Sequence, residues 1–261
     1  MVFGRDVRLG RILKDGKMLC IPMDHGISNG PIRGLEDVHG MIYQCEDAGL
    51  TCVLVNKGII KTMPRPTKSI GLIAHFSGST SLGPAPNRKM LMGSVEEALR
   101  LGADAVSLHI NIGAKEEPEM LQKLGMMADK CDEWSVPLVA MMYPRGEGIK
   151  NPHDPEIVAH AARVGAEAGA DIVKAVYTGD VDSFRKVVKS VPVPLVIAGG
   201  PKATTDLEIL EMCAGAMKAG AKGVTFGRNI FQHKNPPAMV RALHKVIFEG
   251  KSAKEAAKQL G

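Results

Sequence analysis

Short apolar runs separated by longer amphipathic stretches recur from one end of this chain to the other. Such alternation is the pattern of strands joined by helices, which pack as a parallel sheet with helices on the outside. Eight runs have the length and composition of strands: Met18–His25, Cys52–Asn56, Gly71–Phe76, 102–111, Pro137–Tyr143, Asp171–Tyr177, Pro194–Gly200 and Gly223–Arg228. Helices are predicted at Leu35–Ala48, Ser94–Leu101, Pro118–Glu133, Asp154–Ala168, Val181–Lys189, Thr205–Ala219, Pro236–Phe248 and Ser252–Leu260, and Ser94 stands at capping-box spacing from Glu97. Gly26–Gly34 reads as a loop, and 57–69, interrupted by two prolines, is too broken for a long helix. Ser77–Arg88 is a loop of small residues, long enough to be functional, and Lys89–Gly93 fits a short extra strand.

Three helix-to-strand junctions share one phrase: Gly102-Ala-Asp, Gly169-Ala-Asp and Gly220-Ala-Lys. Ala48-Gly49-Leu50 is a fourth version. The glycine supplies the left-handed residue that ends a helix, and small residues let the chain turn at once into a strand. Eight strands, each followed by a helix or connection, predict a single (β/α)8 TIM barrel over residues 1–261 with a short C-terminal helix. A doubly wound open sheet is the alternative. It would normally carry a Gly-rich nucleotide turn after its first strand, and Asp24-His-Gly-Ile-Ser is not GxGxxG.

Composition narrows the function classes. At 45% hydrophobic, 23% charged and 4% aromatic, the chain can bury a full core and lacks the aromatic platform of a nucleic-acid binder. A net charge of +5, with scattered basic residues, suits an anionic small molecule better. There is no apolar run of membrane-spanning length, and Met1 to Arg11 lacks the apolar segment of a signal peptide, so a cytoplasmic protein is expected. The five cysteines are odd in number and widely spaced, which argues for reduced, buried thiols.

Lys174 is the chemical anomaly. It interrupts the apolar run Ile172, Val173, Ala175, Val176, so its strand should be covered on both faces. Burial of an ammonium lowers its pKa unless it is paired, and a neutral amine attacks carbonyls. A structural lysine paired to a buried carboxylate fits the strand equally well, and the rest of the chain has to decide. In a barrel, reactive groups gather at the carboxyl ends of strands. Asp24 and His25 close the first strand there and Tyr143 the fifth. The last two strands end in Gly199-Gly200 and Gly227-Arg228, where free backbone N–H groups and a guanidinium can cradle a phosphate. Taken singly, Asp24 is a turn cap, Tyr143 a core residue with a wet hydroxyl, and the glycines turn residues. His25 and His109 are supporting candidates. His25, His75 and His109 carry no paired metal motif, so no metal and no cofactor is expected. Lys57 follows its strand and should be better solvated, and Lys222 falls at the wrong end of the barrel. Together the groups suggest carbon–carbon bond chemistry on a phosphorylated sugar, with a non-catalytic phosphosugar-binding barrel as the other class of function.

Several ungapped motifs in order, Pro22-Met-Asp-His-Gly-Ile-Ser-Asn-Gly-Pro31, Met141-Met-Tyr-Pro-Arg-Gly146, Asp171-Ile-Val-Lys174, Tyr177-Thr-Gly-Asp180, Ala198-Gly-Gly-Pro-Lys202 and 224–233, resemble the archaeal-type class I aldolases of the DeoC/fructose-bisphosphate aldolase group. The resemblance runs almost end to end. It implies a metal-free barrel with Lys174 as Schiff-base lysine, Tyr143 as proton donor and Asp24 as proton acceptor. It implies substrate contacts at Asp24, His25, Gly26, Ile27, Ser28, Tyr143, Pro144, Arg145, Lys174, Gly199, Gly200, Gly227 and Arg228. Where aldolases of the group read Glu-His after Asp-His-Gly-Ile, this chain has Ser28-Asn29. That pair is similar to the members that join a fragment of a phosphorylated keto-sugar to an aldehyde acceptor, L-aspartate semialdehyde. A class I fructose-1,6-bisphosphate aldolase is the alternative. Members assemble as rings, so a ring-shaped homo-oligomer such as a decamer is implied.

Overall fold

The computed structural model describes residues 3–261. Eight parallel strands close into a barrel: β1 (Met18–Pro22), β2 (Cys52–Asn56), β3 (Gly71–His75), β6 (Ala105–Ile112), β7 (Leu138–Pro144), β8 (Ile172–Val176), β9 (Leu195–Ala198) and β10 (Gly223–Thr225). The order round the ring is β1-β10-β9-β8-β7-β6-β3-β2. The two remaining strands, β4 (Ser77–Gly78) and β5 (Met90–Leu91), form an antiparallel hairpin between β3 and β6 in the chain. The helices α1 (Phe3–Ile12), α2 (His25–Asn29), α3 (Val38–Glu46), α4 (Lys57–Lys61), α5 (Val95–Arg100) and α6 (Glu117–Trp134) belong to the first half. The second half contains α7 (Pro155–Glu167), α8 (Val181–Ser190), α9 (Asp206–Ala219), α10 (Arg228–Phe231), α11 (Pro236–Glu249) and α12 (Ala253–Ala257). The fold is the expected (β/α)8 barrel.

Strand side chains divide into two cores. Val173 and Ala175 of β8 point outwards into the layer between strands and helices. Ile172 points inwards, where Cys20, Leu54, Ile73, Val139, Met141 and Val196 fill the barrel. Period-two alternation therefore turns Lys174 inwards too, one layer above Ile172 and in register with Met141 and Val196. The wrong face would have placed its ammonium among the helices. Each fully buried aliphatic side chain in these layers contributes about 1.5–3 kcal/mol, so the ring has little tolerance for a register slip.

The repeated Gly-Ala-Asp phrase has two structural uses. Gly49, Gly102, Gly169 and Gly220 all have φ between +76° and +108°, as helix-ending glycines require. The aspartates anchor the barrel floor. Asp104 Oδ2 accepts from Leu72 N at 2.9 Å and Asp171 Oδ2 from Leu138 N at 2.8 Å, each tying one strand start to its neighbour. Their other oxygens face Arg11 and Arg5 of α1, at 3.3 Å and 3.1 Å. Helix α1, which the sequence pattern did not announce, is thereby pinned across the floor, with Ile12 inserted into the inner core. Its polar face toward the aspartates hides the apolar periodicity.

Other boundaries moved for local reasons. The first strand ends at Pro22, not His25, and the predicted loop Gly26–Gly34 begins instead with α2. Asp24 holds its N-cap position without a side-chain cap bond, which leaves the carboxylate free to face elsewhere. Ser94 accepts from Glu97 N, but the box stays half made because Glu97 pairs with Lys57 at 3.0 Å and Lys61 at 3.3 Å. The 77–88 segment is less bare than its composition suggests, because its first two residues pair with Leu91 and Met90.

Candidate active site

At the carboxyl ends of the strands a cavity of about 630 Å³ opens. Lys174 lies at its base, 4% exposed, with Nζ 3.9 Å from Met141 Sδ and 5.9 Å from the centre of the Tyr143 ring. Of the residues expected to touch substrate, Asp24, His25, Ser28, Tyr143, Pro144, Arg145, Lys174, Gly199, Gly200, Gly227 and Arg228 line it. Gly26 and Ile27 do not. The short helix α2 turns Gly26 out to solvent, and Ile27 packs toward Gly78.

The ionisation state of Lys174 corrects the expectation of an amine made neutral by burial. Burial does pull its pKa down, but Tyr143 and Asp24 favour the charged form more strongly, and the pKa is raised. The resting group is an ammonium. Asp24 is its counterpart: burial works against ionisation, yet His75, His25 and Lys174 outweigh it and lower the carboxyl to about 2. The two imidazoles flank the carboxylate, His25 Nδ1 at 3.8 Å and His75 Nε2 at 3.7 Å. Burial lowers the pKa of both. His75 Nδ1 is 2.7 Å from Ser107 Oγ, and Asn56 Nδ2 donates to the Asp24 carbonyl at 3.2 Å, so the carboxylate is braced from below.

Tyr143 is held between two neighbours. The His109 ring meets it edge-on at 4.9 Å, and the Arg145 guanidinium is 5.6 Å from its centre. His109 is fixed by Asn111 Oδ1 at 2.8 Å, and burial, with Lys89 and Arg145 nearby, pushes its pKa well down. Tyr143 thus has an uncharged ring on one side and a guanidinium on the other. The backbone after it has no room: a Cβ on Gly146 would overlap the Gly113 carbonyl. Gly146→Ala should therefore displace the Arg145 segment and lower kcat/KM at least about tenfold without unfolding the barrel, checked by kinetics beside circular dichroism.

The loops after β9 and β10 converge as expected. Asn229 Nδ2 donates to Gly199 O at 2.9 Å and to Pro201 O at 3.2 Å, while its Oδ1 accepts from Ala203 N at 2.8 Å. Arg228 donates from Nη2 to Gly200 O at 3.0 Å, and its buried Nε has no partner among the described residues. A Cβ on Gly227 would stand 2.9 Å from the His25 ring and one on Gly199 2.8 Å from Phe226, so neither position accepts a side chain without movement. Glycine N–H groups beside one guanidinium are suited to an oxyanion. Asn229 was not singled out from sequence, and its side chain is what joins the two loops.

Among the described residues no group of three or more His, Cys, Asp or Glu is arranged to hold a metal ion. His25 and His75 face Asp24, whereas His109 is committed to Asn111. Lys57 is taken up by Glu97. Lys222 precedes β10 at the barrel floor, its carbonyl accepting from Met18 N at 2.7 Å. No described helix is long and apolar enough to cross a membrane, and all five cysteines are free and buried. Sequence reading also missed Lys89, Ser79 and Asn87 as cavity residues. They come from the hairpin region, whose fold over the barrel mouth has no periodic signal.

Comparison with known proteins agrees with this geometry. The family described as DeoC/LacD family aldolase matches residues 18–233. A 2-amino-3,7-dideoxy-D-threo-hept-6-ulosonate synthase of Halobacterium salinarum is 41% identical over 258 residues, covering 99% of this chain and 97% of its own. A 2-amino-4,5-dihydroxy-6-oxo-7-(phosphonooxy)heptanoate synthase of Streptomyces griseus is 39% identical over 248 residues, 94% of this chain and 90% of its own. The structure of an archaeal fructose-1,6-bisphosphate aldolase, with its catalytic lysine bound covalently to the carbinolamine intermediate of the substrate, superposes with a TM-score of 0.87 at 34% identity, covering 93% of this chain and 99% of that one.

Proposed function

Because this chain belongs to the DeoC/LacD family of aldolases, we propose that it is a 2-amino-3,7-dideoxy-D-threo-hept-6-ulosonate synthase working through a Schiff base on Lys174. The reaction is a transaldolase step: a fragment of 6-deoxy-5-ketofructose 1-phosphate is joined to L-aspartate semialdehyde, in the archaeal route to 3-dehydroquinate and the aromatic amino acids. The observation that carries the reading is one amine, buried at the base of a cavity, with Tyr143 and Asp24 beside it and the glycine–Arg228 cradle in the adjacent loops.

Chemistry follows from those positions. Lys174 passes one proton to Asp24 and adds to the ketone carbon, and the carbinolamine takes that proton back on its hydroxyl, which leaves as water and gives a protonated imine. That cation accepts the electron pair of the neighbouring C–C bond when Tyr143 takes the proton from the adjacent hydroxyl, and an aldehyde departs. The enamine carbon attacks the aldehyde carbon of the acceptor, Tyr143 returns the proton to the new alkoxide, and water frees the product from Lys174. Asp24, a carboxylate beside that nitrogen, stabilises the iminium whenever it forms and serves as the second acid–base group. The cradle holds the donor phosphate, which keeps the reacting carbons in register with the amine.

Relatives of nearly equal identity that carry the synthase names support the transferase assignment. So does the wall formed by Ser28 and Asn29, which meets the cavity with neutral side chains where the aldolases of the resemblance have a charge. Fructose-1,6-bisphosphate cleavage is the competing activity. A single product assay separates them: 6-deoxy-5-ketofructose 1-phosphate with L-aspartate semialdehyde should yield the seven-carbon amino keto acid by mass spectrometry, at a kcat/KM at least about tenfold above that for fructose 1,6-bisphosphate cleavage. Faster bisphosphate cleavage with no seven-carbon product would make the chain an aldolase.

A further inference from the structure

Three buried polar side chains stand inside the barrel without lining the cavity: Asn56 of β2, His75 of β3 and Ser107 of β6. They are successive register partners, Asn56 with His75 and His75 with Ser107. Two residues earlier on the same strands, and so on the same face, stand Leu54, Ile73 and Ala105 of the inner aliphatic core. Stability alone would continue that aliphatic layer, because a buried polar group is unfavourable unless it is fully hydrogen-bonded. The trio is not arranged for its own hydrogen bonding: Asn56 Oδ1 has no partner among the described residues.

What the three have in common is Asp24. Asn56 Nδ2 donates to its backbone carbonyl, His75 Nε2 stands 3.7 Å from its Oδ2, and Ser107 Oγ lies 2.7 Å from Nδ1 on the far side of the same imidazole. Of the titratable groups around His75, which are Asp24, Lys174, Lys89, His25 and His109, Asp24 is the one anion. Burial lowers the pKa of the ring, Asp24 offsets this only in part, and Lys174, Lys89 and His25 add to it. At neutral pH the imidazole therefore carries a single N–H. A carboxylate is best faced by a donor, which places that hydrogen on Nε2 and leaves Nδ1 to accept from the Ser107 hydroxyl. Without the serine, the other tautomer would turn a lone pair toward Asp24. At 3.7 Å the N–H orients the carboxylate without locking it in a hydrogen bond, so the oxygen can still take up a proton.

We propose that His75 is a positioning residue for imine formation: with its tautomer fixed by Ser107, it holds the Asp24 carboxylate where that group receives the proton of Lys174. This rests on the Schiff-base reading above and is independent of which acceptor follows. Neither His75 nor Ser107 touches the substrate. Both act through Asp24.

The test reads the loading of Lys174 directly, as borohydride-trapped mass on the full-length enzyme, with 6-deoxy-5-ketofructose 1-phosphate and, separately, fructose 1,6-bisphosphate as donors. His75→Leu should slow loading at saturating donor by about 10- to 100-fold, the scale of loss when a reacting group is misplaced. The donor concentration for half-maximal loading should stay within about threefold of the parent's, because the cavity wall is unaltered. His75→Gln, whose amide can place an N–H near the position of Nε2, should recover most of the rate. Ser107→Ala should slow loading by about three- to tenfold, again at unchanged half-saturation, and it carries the test should His75→Leu not fold. Parent-like rates in these variants, equal losses for leucine and glutamine, or a loss confined to half-saturation overturns the positioning role while leaving the Schiff base intact. A parent that traps no mass with either donor overturns the Schiff-base reading and the role of His75 with it.

Discussion

Replacing Lys174 by methionine should abolish turnover, by at least about 10⁴-fold, and leave the barrel folded. Methionine fills a similar volume beside Met141 and the inner aliphatic layer, so the packing that closes the ring is retained. What disappears is the nucleophile. No other amine stands in its place: Lys57 is paired with Glu97, and Lys89 is held by Ser79 on the hairpin wall. Treating the parent with ketose phosphate and borohydride should fix substrate mass on the peptide containing Lys174, and the variant should show none. Trapped mass on another lysine would remove Lys174 from the mechanism. The parent should also show a defined pH response. Because the folded pKa of Lys174 is raised, the neutral fraction at neutral pH is small and grows as pH rises. Donor loading at subsaturating ketose should therefore accelerate by up to about tenfold per pH unit between about pH 6 and 8. A flat profile would mean that the amine is already neutral at rest.

Tyr143→Phe should separate the two halves of the reaction. The imine can still form, because Lys174 and Asp24 are untouched, so borohydride trapping should persist. Bond cleavage should slow by about 10²–10⁴, the range typical of a lost general acid–base group. Phenylalanine retains the edge-on contact with His109 and the ring beneath Arg145, so the loss would be assigned to the hydroxyl and not to collapse of the wall. Unimpaired turnover in the variant would give the proton transfer to another group, and Asp24 would be the first to examine.

How much of this was readable in advance differs by kind of signal. The eight strands, the barrel and the helix-ending glycines follow from local rules: short apolar runs alternating with amphipathic stretches, small-residue junctions and positive φ that glycine alone tolerates easily. The cradle was legible because Gly199, Gly200, Gly227 and Arg228 fall at the ends of adjacent strands in any barrel of this order. Capping was half legible, since Ser94 reaches Glu97 N while Glu97 answers to two lysines from another connection.

By itself the sequence determined which segments become strands and that Lys174 interrupts one covered on both faces; that its side chain points into the barrel was decided by closure of the ring. It could not determine the charge on that lysine. Burial alone predicts a neutral amine, and only the tertiary fold brings up Asp24 and Tyr143, distant in the chain, to reverse the sign. The same limit concealed α1 across the floor and Lys89 at the mouth. Both depend on long-range electrostatics and packing between segments whose own patterns are polar or irregular, and such interactions exist only once the ring has closed.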